Sequence, residues 1–457
     1  MTSRMISRYI HNLLFAPVNL RLLAGIAFTV LCLLFFLSPL VSQQTIYSGD
    51  EPHYLIALNS VINDHDFDLS NNYLRVSEGF GDAGARFLYA QLAHHTVFVK
   101  KGEKPISWLN VFNMHTLARN PDFADISLLG YTERPNHPHI VTLIYVLFMY
   151  PLLGFMGTEQ AALVVTELFA VAGIGVFWIL CSHYFHRNKQ IVATLLFAFC
   201  TPFWFYARML YSEVLTALLL LLSLHLVLRG RAPVITGFLT SILIGIKISF
   251  IPVPLIFLLY MWYVGRKQEL LKFGLGFSLF LGIFVLLNYF IYYDPLYFSI
   301  VGNVFDTYSS LWGQSVLEGI WGTLASPSHG ILPFAPYAIF ALFSSGAIFV
   351  KHKYKYYIII LITLSMIILY SLWKDWGGGY SFANRFAVPV MSFLVLLAYV
   401  AIESTHKKIL RYFFYVLVLY SFILHTQSVF TNPELVVDRP PIVLEQIGFT
   451  LLNYILR

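Results

Sequence analysis

The sequence predicts an all-α polytopic membrane protein, and three observations carry that prediction. Apolar residues fill 58% of the 457 positions and charged ones 11%, against roughly 25% charged in soluble chains. Many apolar runs reach the ~17 to 25 residues that a helix needs to cross hydrocarbon. The runs are continuous and do not alternate apolar with polar, which disfavours spanning strands. One membrane domain over residues 1–457, with embedded loops, accounts for the length better than several soluble domains.

Arg4, Arg8 and Arg21 precede the first apolar run, 22–41, which is long for a signal peptide and is followed by Ser42-Gln43-Gln44, a poor cleavage site. It is expected to remain as the first helix. Basic residues then mark the cytoplasmic side: Arg187 and Lys189, Arg229 and Arg231, Arg266 to Lys272, Lys351 to Lys355, and Lys407 to Arg411. Between these clusters lie spans near 161–183, 190–207, 212–228, 234–248, 251–264, 273–292, 334–350, 356–373, 386–402 and 412–426. The expectation is about 11 helices (11–13), with the N-terminus inside and the C-terminus outside. The run 140–157 must begin and end outside under this parity, and is expected to lie at the interface. The first outer loop, 45–139, is the longest polar stretch, with short amphipathic pieces at Tyr54 to Ile62 and Phe87 to Val99 expected as interfacial helices. A second outer loop covers 294–333, and a short outer tail covers 427–457.

Several function classes are disfavoured. Cys32, Cys181 and Cys200 sit inside apolar runs, unlike a secreted disulfide framework. There is no Gly-rich phosphate loop, zinc-type Cys/His spacing or RNA-binding aromatic motif, so neither a nucleotide-driven pump nor a nucleic-acid partner is expected. The net charge of +6 follows the positive-inside rule and says little about partners.

Four features can carry chemistry. Asp50 and Glu51, in Tyr47-Ser48-Gly49-Asp50-Glu51-Pro52-His53-Tyr54, follow the first helix at the outer interface, where a carboxylate can act as a general base. Asp50 equally fits an N-cap for a helix beginning near Pro52. Glu213 opens a helix one turn after Arg208, either as a functional ionisable pair or as a salt bridge and helix start. Lys247 interrupts an apolar run; it faces a cavity or an anion, or it snorkels. The outer turn Trp373 to Arg385 contains Trp376, Gly377, Gly378, Gly379 and Tyr380, and closes on a guanidinium suited to phosphate oxygens. It also fits a tight hairpin anchored by tryptophans.

Taken in order, these features resemble the GT-C superfamily of polyprenyl-phosphate-sugar-dependent membrane glycosyltransferases, over most of the chain. Gly49 to Tyr54 is similar to the superfamily's acidic motif after the first helix. Arg134-Pro135-Asn136-His137-Pro138-His139 stands where relatives carry a Tyr/Pro-rich or Lys-Pro-Pro segment, although it is histidine-rich. Tyr211-Ser212-Glu213 stands where relatives carry a second acidic residue, and Asn288 to Ser299 resembles an aromatic-Gly-Asn-Pro-Leu stretch. Ser326 to Pro336 resembles a Ser-Pro-rich segment of uncharacterised bacterial members, with His329 where relatives often have Arg.

The resemblance implies a GT-C-type bundle in a bacterial inner membrane, with its active site facing the periplasm and the 45–139 loop periplasmic. It implies an inverting transfer of a hexosyl or pentosyl group from a polyprenyl-phosphate donor to a lipid, glycan or protein acceptor. Asp50, with Glu51 beside it, would be catalytic, while Arg385, Lys247, Arg208 and His329 would bind the donor phosphate. Glu213, His53, His137 and His139 would serve the acceptor, and Trp376, Gly378 and Tyr380 would form a donor or acceptor turn. No cofactor is required, and a divalent metal at Asp50 and Glu213 is an option relatives suggest. The rival class is a transporter or lipid flippase, disfavoured because the polar residues gather on one side instead of the midplane. Reporter fusions test the topology: one after Met156 is expected to report a non-cytoplasmic site, and one after Lys189 a cytoplasmic site.

Overall fold

The computed structural model describes residues 51–67, 96–100, 106–107, 131–135, 139–292, 315–344, 353–373, 376–378 and 381–431. The first predicted span (22–41), Asp50, His137, Tyr380 and the tail beyond 431 lie outside the described residues, as do the side chains of His53 and His139.

Six described helices are long and apolar enough to cross a bilayer. They are α3 (Thr158–Cys181), α6 (Ser212–Arg229), α9 (Lys267–Tyr292), α12 (Lys353–Ser371), α13 (Val388–Ser404) and α14 (Lys408–Thr431). Shorter helices lie among them: α1 (Glu51–Asn59), α2 (His139–Met149), α4 (Arg187–Phe199), α5 (Phe203–Tyr206), α7 (Pro233–Ile246), α8 (Pro252–Tyr263), α10 (Val316–Ala325) and α11 (Ile331–Phe334). α6 and α13 are nearly enclosed by their neighbours, whereas α9 presents Leu271, Leu275, Leu279, Leu286 and Phe290 as one exposed apolar stripe. Only hydrocarbon covers such a stripe without loss, and the chain is an integral membrane protein.

The sequence explains the breaks. Pro202 ends α4, and Thr201 bridges the gap, its Oγ donating to the Phe197 carbonyl at 2.7 Å and accepting from the Phe203 N–H at 3.2 Å. α7 stops at Lys247, whose extended backbone (φ −143°) leads into a 3-10 turn, Ile248–Phe250, before Pro252 opens α8. α2, at 11 residues, is about 16 Å long, half a hydrocarbon thickness, and does not span by itself.

The structure corrects three expectations. The 45–139 segment is not purely helical, since Thr96–Lys100 (β1), Ile106–Ser107 (β2) and Tyr131–Pro135 (β3) form an antiparallel sheet in the order β2-β1-β3. Val97 pairs with Arg134 and with Ser107. The β-branched, alternating run Thr96 to Lys100 suits a pleated ribbon better than the helix expected through Val99. The 334–350 span is not a regular α-helix in its described part: after the four-residue α11 it runs as a 3-10 helix, Pro336–Phe343, where Pro333 and Pro336 each lack an amide donor. The 294–333 loop contains α10, which packs on α12 so closely that a methyl group at Gly319 would lie 1.8 Å from the Ser371 carbonyl oxygen.

α7 and α9 cross through facing glycines. A methyl group at Gly237 would stand 2.0 Å from the Phe273 carbonyl oxygen, and one at Gly276 would stand 1.8 Å from that of Val234. Small residues let helix backbones approach, and in a bilayer that packing replaces hydrophobic association. Gly274, two positions earlier, faces open space. Gly276→Val is therefore expected to lower stability by more than the ~1–3 kcal/mol of ordinary overpacking, whereas Gly274→Val leaves it unchanged; thermal unfolding of the detergent-purified protein measures both.

Candidate functional site

Contacts bring the ends that bear Arg187, Lys189, Arg229, Arg266 and Lys408 together: the His183 ring lies 5.3 Å from that of His225, and the Tyr184 hydroxyl donates to the Lys355 carbonyl at 2.9 Å. There Lys189 pairs with Glu403, and the Arg266 guanidinium donates to the Val227 carbonyl at 2.8 Å. The candidate residues that the structure describes collect at the opposite end.

α1 begins at Glu51, which places Asp50 directly before its first residue. Glu51 is fully buried, and its Oε1 accepts from the Leu210 N–H at 2.7 Å. This bond ties the start of α1 to the segment Ala207 to Tyr211 between α5 and α6. Arg208, in the same segment, is 2% exposed and lies in the fields of Glu51 and Glu167. Burial pulls its guanidinium down to about 10 and both carboxylates act against that, so it stays charged at neutral pH.

The second group is built on the break after α7. The Lys247 ammonium donates to Glu213 Oε1 at 2.5 Å. Glu213, in the first turn of α6, is 1% exposed, and its Oε2 meets no hydrogen-bond donor among the described residues. The 3-10 turn Arg385–Ala387 delivers Arg385 to this place. Asn384 secures that turn, accepting from the Ala387 N–H at 3.2 Å and donating to the Trp376 carbonyl at 3.1 Å. The Arg385 guanidinium lies 5.3 Å from the Tyr211 ring and 5.2 Å from that of Phe386, and Lys247 Nζ lies 5.4 Å from the same Phe386 ring. Phe386 in turn stacks on Tyr370 at 4.8 Å and 7°, with the Tyr370 hydroxyl 2.7 Å from Ser249 Oγ. Two cations thus share one aromatic ring fixed from behind.

The Gly-rich turn and the Ser-Pro segment meet here as well. Gly378 has φ +85°, and a methyl group there would stand 2.6 Å from Arg385 Cγ; glycine alone suits both constraints. The Trp376 ring covers Gly322, and His329 sits edge-on to Trp376 at 6.3 Å, its Nδ1 3.0 Å from Ser328 Oγ. Tyr206 fastens the turn to α5 by donating to the Phe382 carbonyl at 2.7 Å.

The structure therefore brings Glu51 and Arg208 into one group, Glu213, Lys247 and Arg385 into a second, and His329, Trp376 and Gly378 onto the turn beside Arg385. Tyr145, buried on α2 and 2.9 Å from Thr166 Oγ1, lies within the fields of both Glu51 and Glu213. Glu167, Tyr145, Tyr370 and Phe386 were not among the sequence candidates. A lone glutamate inside the apolar run of α3 was the available signal for Glu167. Among the described residues no three His, Cys, Asp or Glu side chains converge as a metal site, and Glu213 Oε1 is already held by Lys247.

No family model and no curated protein sequence matches this chain. Solved structures do. ArnT from Cupriavidus metallidurans bound to undecaprenyl phosphate is similar with a TM-score of 0.55 at 14% identity, over 89% of this chain and 65% of that one. Its apo state gives 0.51 at 16%, over 92% and 66%. The apo oligosaccharyltransferase of Archaeoglobus fulgidus gives 0.50 at 12%, over 92% and 55%. The chain shares the fold of these structures, and it spans less than two thirds of their length.

Removing one member of the Glu213–Lys247 pair leaves a buried charge, an effect of about 3–5 kcal/mol. Lys247→Met and Glu213→Gln are each expected to lower the unfolding midpoint in detergent, and the double variant to lose less than the sum of the two, as a double-mutant cycle measures.

Proposed function

We propose that this chain is an inverting glycosyltransferase that moves a sugar from a polyprenyl-phosphate donor to an acceptor on the non-cytoplasmic face of the membrane. The observation that carries the proposal is the pair of cations, Lys247 and Arg385, held on one aromatic ring beside a buried carboxylate, in a fold shared with a structure that holds undecaprenyl phosphate. The basic residues at the other end support the orientation, since the positive-inside rule puts that end in the cytoplasm. In a bacterium the membrane would be the inner one and the site would open to the periplasm.

The acceptor hydroxyl oxygen attacks C1 of the sugar on the face opposite the phosphate. The bond from C1 to the phosphate oxygen breaks with its electron pair remaining on the lipid phosphate, and the acceptor proton passes to the Asp50 carboxylate. Negative charge grows on the departing phosphate, so Arg385 and Lys247 stabilise the transition state more than the ground state. Arg385 is suited to a two-oxygen contact and Lys247 to a point-charge contact. Glu213 keeps Lys247 oriented, and its Oε2 is available to a hydroxyl of the acceptor or sugar. His53, His137 and His139 belong to the acceptor side of this reading, and His329, Trp376, Gly378 and Tyr380 to the wall beside Arg385. No step requires a metal, because the donor already carries an activated leaving group. Sugar and acceptor identity follow from assay, not from these residues.

The break after α7, with a lysine at it, is also a feature of transporters. A membrane assay with labelled polyprenyl-phosphate sugars separates the classes. Transfer is expected for the parent, with a loss of roughly 10²–10⁴-fold for Asp50→Asn and about 10²–10³-fold for Arg385→Met. Full transfer by Asp50→Asn would remove the base, and movement of a lipid or solute without consumption of sugar-lipid would favour the transporter.

A further inference from the structure

Lys247 and Arg385 come from distant parts of the chain, yet both lie over the ring of Phe386, at 5.4 and 5.2 Å from its centre. A cation is attracted to the face of an aromatic ring within about 6 Å, so the place of each cation follows the position and tilt of that ring. Phe386 is itself held. The Tyr370 ring, in the last turn of α12, lies parallel to it at 4.8 Å and 7°. The Tyr370 hydroxyl lies 2.7 Å from Ser249 Oγ. A stacked ring with no further tie slides easily, whereas a phenol fastened at its far end does not.

Ser249 stands in the 3-10 turn Ile248–Phe250, two residues after Lys247. That turn has little backbone bonding of its own: the Phe250 N–H donates to the Lys247 carbonyl at 3.1 Å, and the Ile251 N–H donates to the Ile248 carbonyl at 3.0 Å. Pro252, next in the chain, has no amide to add. The contacts therefore close a circuit. Lys247 meets Phe386, Phe386 stacks on Tyr370, Tyr370 reaches Ser249, and the short turn returns to Lys247.

We infer that Tyr370 and Ser249 are positioning residues for the donor phosphate, acting through the Phe386 ring and the turn after α7 to set where Lys247 and Arg385 stand. This deepens the glycosyltransferase reading and rests on it. A lysine on its flexible stem is a poorly placed point charge, and stabilisation of a departing phosphate depends on cations already in position. The hydroxyl pair supplies that placement without touching the phosphate.

Tyr370→Phe keeps the ring and its stack and removes only the hydroxyl, while Ser249→Ala removes the other half of the pair. Binding of undecaprenyl phosphate to the purified full chain is measured together with the unfolding midpoint. Each single variant is expected to weaken binding by roughly 3- to 10-fold, the worth of one hydrogen bond. The double variant is expected to match either single within about twofold, because one interaction is lost in all three. Ser249→Thr, which restores a hydroxyl, should recover binding. Tyr337→Phe is the control, since its buried hydroxyl donates to the Cys200 carbonyl at 2.9 Å beside Phe414; it should lower the midpoint and leave binding unchanged.

If Tyr370→Phe behaves like that control, the tie serves stability alone and the proposal fails. It fails equally if Tyr370→Phe weakens binding and Ser249→Ala does not, since the tyrosine hydroxyl would then meet the phosphate itself. Should Tyr370→Phe not fold, Ser249→Ala and Ser249→Thr carry the comparison. A parent that binds no undecaprenyl phosphate would overturn the donor reading, and the midpoints of Tyr370→Phe, Lys247→Met and their double variant would still decide the circuit: additive losses overturn it and non-additive losses support it.

Discussion

Burial of charge at one end of the helical bundle is the constraint on which the other features depend. Two carboxylates, Glu51 and Glu213, are almost without solvent, one held by the Leu210 amide and the other by Lys247, and the cations Arg208 and Arg385 stand near them. Each ion alone would carry a penalty of several kcal/mol after relaxation. The groups are tolerable only as partners, so the segments that bear them must be held at fixed separations. The irregular backbone at this end is the means. The break at Pro202 precedes the segment that bears Arg208, Lys247 is itself extended, a 3-10 turn begins at Arg385, and the left-handed Gly378 leaves room for the Arg385 side chain. Non-helical backbone at such depth is stable where protein, not lipid, surrounds it, and the near-complete enclosure of α6 and α13 provides that surrounding.

Much of this was legible in the chain. Long apolar runs named the spans, and 161–183 and 212–228 agree with α3 and α6 within a few residues because hydrophobic length is a local property. Lys247, Glu213, Arg208 and Arg385 were visible one by one, since a charge within apolar sequence is conspicuous. Their grouping was not. That Lys247 and Arg385 share the ring of Phe386, and that Glu51 reaches the Leu210 amide two residues after Arg208, depends on contacts between distant segments. Phe386 and Tyr370 look like any other aromatic residue in a chain that is 17% aromatic. The β-sheet escaped for a related reason, because β1 becomes a strand only by pairing with β3 some thirty residues later. The 3-10 course after Pro336 was signalled by its prolines, yet the apolar composition of the run suggested a longer helix.

The likeness to ArnT and to the archaeal oligosaccharyltransferase extends over about nine tenths of this chain and a smaller share of theirs. At 12–16% identity what is common is the arrangement of helices, while the chemistry must be argued from the side chains present. Here those side chains form two clusters: in one the Leu210 amide holds Glu51 at the start of α1, and in the other Lys247 and Arg385 share the Phe386 ring.

The glycine crossing of α7 and α9 bears on that second cluster. Gly237 lies on α7 ten residues before Lys247, where the helix stops, so about 15 Å of helical backbone separates the contact from that break. Near the break α7 still packs on α9, where Gly245 faces the rings of Phe280 and Phe284, so the helix is held along its length and a shift at the crossing is carried to the lysine. The reach of the lysine is therefore set partly by two residues that have no side chain and touch no substrate. Evolution or engineering that moves this lysine has a handle there, far from any charged group.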